Sequence, residues 1–90
     1  MNFKVKKEFT ARIENRLVPI PVGTVFKYDD NYGNRWFVEL EVNFNKHKYF
    51  IDSVFINESI EYFEPIEEEM TWVKSVDGKF HVLKFIYEIV

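Results

Sequence analysis

This sequence predicts an all-β fold: a small single-domain antiparallel sheet, barrel-like, with one short helical turn and a C-terminal β-hairpin. Three observations carry that expectation. Apolar and polar residues alternate with a period of two through long stretches of the chain. Clusters of turn-forming residues separate those stretches at short intervals. Seventeen of the 90 side chains are aromatic, and the alternating runs are rich in aromatic and β-branched types.

The first run places Phe3, Val5, Phe9, Ala11 and Ile13 on one parity and Lys4, Lys6, Glu8, Thr10 and Arg12 on the other, with Lys7 alone interrupting the apolar side. It reads as one half-buried strand. Glu14-Asn15-Arg16 supplies a turn, and LVPIPV follows. Pro19 and Pro21 lack the N–H that a ladder needs, so this piece is an edge strand or an extended lead-in. Gly23 punctuates it, and Thr24–Tyr28 resumes as strand. Residues 29–34, DDNYGN, are a loop by composition.

Trp36, Val38, Leu40, Val42 and Phe44 then alternate with Phe37, Glu39 and Glu41. A two-residue loop centred on Phe44-Asn45 or on Asn45-Lys46 would pair this strand with HKYFI. Either choice sets Tyr49 and Ile51 on the face of Val38 and Leu40, and Lys48 beside Glu39 and Glu41. Asn57 is expected to cap a short helical turn with Glu58 and Glu61 near its positive end, Ile60 and Phe63 inward, and Pro65 as its stop. Asp77-Gly78 between TWVKSV and KFHVLKFIYEIV signals a tight hairpin, although the last run has a helical alternative. Residues 1–68 are thus the barrel-like portion and 70–90 the hairpin, within one domain spanning 1–90.

Composition bounds the function classes. Ninety residues make a single small core, which the aromatics fill densely. The absence of cysteine excludes a disulfide framework and a cysteine-ligated zinc site. No run approaches the ~20 apolar residues needed to span a bilayer, and the cytoplasm is the expected location. The sequon Asn57-Glu58-Ser59 is therefore read as incidental. Charge is unevenly divided: residues 1–50 carry nine Lys/Arg against six Asp/Glu, and residues 51–90 carry three against nine. Six of the later acids, Glu58, Glu61, Glu64, Glu67, Glu68 and Glu69, crowd into NESIEYFEPIEEE. Such a run is ordinarily a solvated face, and its sharper reading is a patch that docks on a basic partner.

Other constellations argue against chemistry. In a calcium loop counted from Asp29, glycine belongs at the sixth place and glutamate at the twelfth; Gly33 is fifth and Leu40 twelfth. Glu39 and Glu41 lie on an exposed strand face near Lys48, which suits a salt-bridged surface and offers no cleft for paired-carboxylate catalysis. His47 and His81 are far apart, with no nucleophile at a catalytic spacing. No metal or other cofactor is expected. Lys4, Lys6 and Arg12 form a basic stripe which, with Tyr28, Tyr32 and Trp36 as exposed candidates, suggests a stacking-and-phosphate surface for nucleic acid. Glu8 and the overall acidity oppose that reading.

The stretch VPIPVGTVFKYDD, followed later by FINESIEYFEPIEE, resembles short proteins encoded by phages and prophages of Gram-positive bacteria. The residues that carry the likeness are Ile20, Pro21, Gly23, Thr24 and Phe26, then Glu61, Tyr62, Phe63, Glu64, Pro65 and Ile66. It spans roughly residues 1–68. The resemblance implies an Src-homology-3-like barrel and an accessory protein that binds a host protein, with no catalytic residue to carry over. The expected function is therefore non-enzymatic: a phage or prophage accessory factor occupying a host protein, for example an anti-CRISPR-like, anti-defence inhibitor using the six glutamates. The alternatives are a small nucleic-acid-binding barrel and, third, an enzyme with no nominated residues.

Overall fold

The N-terminal alternation survives folding, but not as one strand. In the computed structural model, which describes residues 1–30, 33–42, 44–67 and 84–90, the run divides at Lys6–Glu8 into β1 (Asn2–Val5) and β2 (Phe9–Ile13). The two strands join different sheets, so the charged triplet forms a corner. Parity carries across it: Phe3, Val5, Phe9, Ala11 and Ile13 are all buried.

β2 pairs with β3 (Arg16–Ile20) in a two-stranded sheet. Their turn is Glu14-Asn15, with φ of 51° and 63°. Positive φ at both residues is what a two-residue type I′ hairpin requires. The larger sheet has six strands in the order β7-β1-β4-β5-β6-β8, built from β4 (Val25–Tyr28), β5 (Arg35–Val42), β6 (Asn45–Asp52), β7 (Phe63–Ile66) and β8 (Lys84–Phe85) beside β1. Between β6 and β7 lie the helix α1 (Ser53–Glu58) and a 3₁₀ turn, Ile60–Tyr62. Among the described residues no helix is long and apolar enough to cross a membrane.

The β5–β6 register is Val38↔Tyr49, Glu39↔Lys48 and Glu41↔Lys46, closing at Val42↔Asn45. The connection thus lies one residue earlier than a loop centred on Phe44-Asn45 and two earlier than one centred on Asn45-Lys46. All three choices keep the same parity, so Tyr49 and Ile51 still share the core face with Val38 and Leu40. Phe44 stands in this turn at φ 65° and is 96% exposed, outside the core-facing set to which its parity assigned it.

The expected closure into a barrel is not made. Segment 84–90 runs parallel to β6, then bonds to β2 through Arg12 N–H to Glu88 O (3.2 Å), Val90 N–H to Thr10 O (2.8 Å) and an Ala11↔Ile89 bridge. It joins the sheets at one side and leaves β3 and β7 as outer strands among the described residues. Proline explains why these edges stay open. Ile13↔Arg16 flanks the turn, so Thr10↔Pro19 is a non-hydrogen-bonded pair, at which a backbone N–H would point away from β2. In β7, Lys6 N–H bonds Tyr62 O while Val5 bonds Thr24 and Gly23, so Phe3↔Pro65 is non-bonded too. Each outer strand therefore lacks an outward donor at its proline, a device that discourages edge pairing. Pro65, expected to stop the helix, serves instead inside β7. Of the expected C-terminal hairpin, the Asp77-Gly78 turn and its first strand fall outside the described residues; within residues 84–90, Lys84–Phe85 form β8 and Ile89 bridges to Ala11.

Phe63 is the hub of the core. Its ring meets Phe3, Phe9, Phe26 and Phe55 edge-on at centroid distances of 6.4, 5.6, 5.8 and 6.2 Å. Edge-to-face geometry sets the positive rim of one ring against the negative face of the next. Ile20, Phe26, Ile51 and Ile86 are wholly buried around this group.

Candidate functional site

Residues 52–67 hold the described acidic candidates, and their local structure begins with a cap. Asp52 Oδ1 accepts the Phe55 N–H at 2.8 Å, which starts α1 five residues before the Asn57 cap expected from the sequence. Phe55 and Ile56 turn inward, whereas Val54 and Glu58, one helical turn apart, stay at the surface. Ser59 N–H closes the helix onto Phe55 O and Ile56 O, and the chain tightens into the 3₁₀ turn. Tyr62 anchors that turn edge-on to Phe9 at 5.4 Å, with the Lys7 ammonium 5.2 Å from its ring centre. Ile60, expected inward, is exposed beside Glu61 because the inward place passes to Tyr62 and Phe63.

The glutamates separate accordingly. Glu58 and Glu61 lie on the helical surface with Val54 and Ile60. Glu64 is half-buried on the outer face of β7 opposite Lys4, and Glu67 is exposed just beyond β7. Glu68 and Glu69 lie outside the described residues. None of Glu58, Glu61, Glu64 and Glu67 has an ion pair among the described residues.

The basic and aromatic candidates do not assemble as the sequence suggested. Trp36 is buried, donating Nε1–H to Met1 O at 2.8 Å, and offers no stacking face. Tyr28 is half-buried against it, edge-on at 5.4 Å. Tyr32 lies outside the described residues. Arg12 is paired with Glu88 at 3.3 Å, while Lys4 belongs to the other sheet and Lys6 to the corner between them. Apart from Phe44 in its turn, the aromatic cluster nearest a surface is that of Phe37, Phe85 and Tyr87 around Phe50, which is itself buried. Phe50 meets Phe37 at 6.2 Å and Phe85 at 5.7 Å, and Tyr87, 72% exposed, stacks on Phe85 at 5.6 Å. This cluster lies on the sheet face opposite the core. Its sequence signal was the placement of Phe37 and Phe50 on the polar parity of their strands.

Remaining candidates have structural duties. Asp29 Oδ2 accepts from Arg35 Nε at 3.0 Å in a largely buried pair, and Arg35 covers the Phe50 ring at 5.1 Å. Glu39 and Glu41 lie directly opposite Lys48 and Lys46. His47 is half-buried, edge-on to Tyr49, and His81 lies outside the described residues. Among the described residues no group of three or more His, Asp or Glu side chains is placed to hold a metal.

One polar cluster was not anticipated. Lys84 and Glu14 form an ion pair, which lowers the Glu14 carboxyl below its ordinary range and raises the Lys84 ammonium above its own. Beneath them the Tyr49 hydroxyl is buried with no hydrogen-bond partner among the described residues. Burial first, and then the Glu14 charge, pushes its phenol upward. Comparison with protein-family models, curated proteins and solved structures finds no match to this chain.

Proposed function

We propose that the protein acts by binding rather than catalysis, docking through the surface of α1 and the 3₁₀ turn onto a basic patch of a host protein. The observation that carries this reading is the setting of exposed Val54 and Ile60 among Glu58 and Glu61, whose carboxylates have no ion pair among the described residues. Apolar groups supply area that can be desolvated at a contact, and unpaired carboxylates steer a cationic partner and select against acidic ones. Glu67 extends the acidic field, and Glu64, on the outer sheet face, lies at its margin. The phage or prophage setting, with a host polymerase, nuclease or defence component as partner in the cytoplasm, is the context that the sequence resemblance supports.

The test compares the parent with two variants, Glu58→Lys/Glu61→Lys/Glu67→Lys and Lys4→Ala/Lys6→Ala/Arg12→Ala. The first should lose capture of a basic host protein while keeping its circular dichroism, because exposed charges add little to stability. The second should retain capture. Tight, salt-sensitive binding of single-stranded oligonucleotides by the parent, abolished in the second variant, would replace this reading with nucleic-acid recognition.

A further inference from the structure

The outer face of the six-stranded sheet carries an ordered charge pattern that the proposed function touches only at its margin, through Glu64. The registers Glu64↔Lys4 and Lys4↔Val25 place those residues in one row across β7, β1 and β4. Continuing the Lys27↔Phe37 register brings Glu39 beside Val25, and both line one shallow hollow. Glu39↔Lys48 completes the row on β6. Read across five strands, the row is Glu64, Lys4, Val25, Glu39, Lys48: negative, positive, neutral, negative, positive.

That order is its own complement when reversed. A two-fold axis running along β4 above Val25 sets Glu64 against Lys48 of a second copy and Lys4 against its Glu39, with each contact made twice and Val25 meeting Val25. Isologous association demands this kind of self-complementarity. The next row on the same face holds Phe37, Phe50 and Phe85; Phe50 is buried beneath the Arg35 guanidinium, so the apolar area offered there is that of the part-exposed Phe37 and Phe85. An antiparallel sheet with a solvated face ordinarily keeps such positions polar. Because prolines blunt both outer strands, face-to-face contact is also the route left open when edge pairing is discouraged.

We propose that this face is a self-association surface and that its occupant is a second copy of the chain. Lys27 opposes the contact, since it sits on the axis one row along and faces its own counterpart. The match of alternating charges selects a like copy over a uniformly basic or acidic partner, and strong salt weakens the association.

Sedimentation velocity across a concentration series tests this directly, with circular dichroism confirming that each variant is folded. The parent should show a concentration-dependent dimer. Lys48→Glu alone and Glu64→Lys alone should each weaken self-association by about tenfold or more, since each places like charges in contact twice. Mixing the two variants should restore a heterodimer, because Glu64 of one then meets Lys48 of the other and the introduced charges meet each other. Lys27→Thr should tighten the dimer. A parent that stays monomeric throughout, single variants that dimerise as well as the parent, or a mixture that fails to recover would each overturn the proposal. Lys48 lies outside the helical docking surface, so its variant leaves the host-protein reading untouched.

Discussion

Truncating Phe63 to alanine tests the packing on which the fold rests. The ring is 1% exposed and meets four other phenylalanines edge-on. Removing it forfeits transfer free energy of about 1.5–3 kcal/mol. It also leaves a cavity that the sheet, held by ladders on both sides of β1, cannot collapse around. Core Phe→Ala changes cost about 3–5 kcal/mol, and the loss of four ring pairs places this site near the upper half, at about 4 kcal/mol. A domain of this size holds roughly 5–13 kcal/mol in total, so about 30% or more of its stability should disappear. Urea unfolding should show a lower midpoint with an unchanged slope, and the thermal midpoint should fall by about 15–30 °C. Phe44→Ala is the internal control: its ring is solvent-exposed, and its change should stay within about 0.5 kcal/mol. A Phe63→Ala cost under about 1.5 kcal/mol, or one no larger than that of Phe44→Ala, would refute the hub.

Two further substitutions probe local strain. Phe44 occupies a left-handed conformation without packing gain; Phe44→Gly should therefore raise stability by about 0.5–1 kcal/mol in thermal melts, and a clear loss would mean that the ring is engaged. Tyr49→Phe deletes a buried hydroxyl that has no partner among the described residues, so it should be neutral or stabilising by about 1 kcal/mol at pH 7. Because the folded phenol is raised above its unfolded value, the stability that Tyr49 contributes is complete below the unfolded phenol range near 10 and is lost as pH rises through the folded value. Tyr49→Phe should accordingly unfold later than the parent in an alkaline titration followed at the phenolate absorbance. Equal alkaline midpoints would show that another group governs that transition.

How far the sequence carried the candidate site differs from residue to residue. Glu58, Glu61 and Glu67 were legible as surface charge from composition alone. Their apolar companions Val54 and Ile60 were not, because the sequence pointed to a cap at Asn57 and the helix instead begins at Asp52. A cap depends on where β6 ends, which is set by its pairing with β5. Trp36 carried two incompatible readings, core by parity and exposed as a stacking candidate; its bond to Met1 O, 35 residues away, decided for burial.

By itself the sequence determined the all-β class, the core-facing parity of β1, β2, β5 and β6, and the edge character of the Pro19 strand. These follow from period-two patterning and the missing proline donor, which are local properties and survive an error of register. Only the tertiary structure decided that β1 and β2 separate at Lys6–Glu8, that segment 84–90 joins the two sheets, that Pro65 blunts β7 and that Phe37, Phe50, Phe85 and Tyr87 gather on the outer face. Alternation states which side of a strand is apolar but not which strand lies beside it. That choice is made by the loop closures and shared burial of residues far apart in the chain, and these exist only once the whole core has formed.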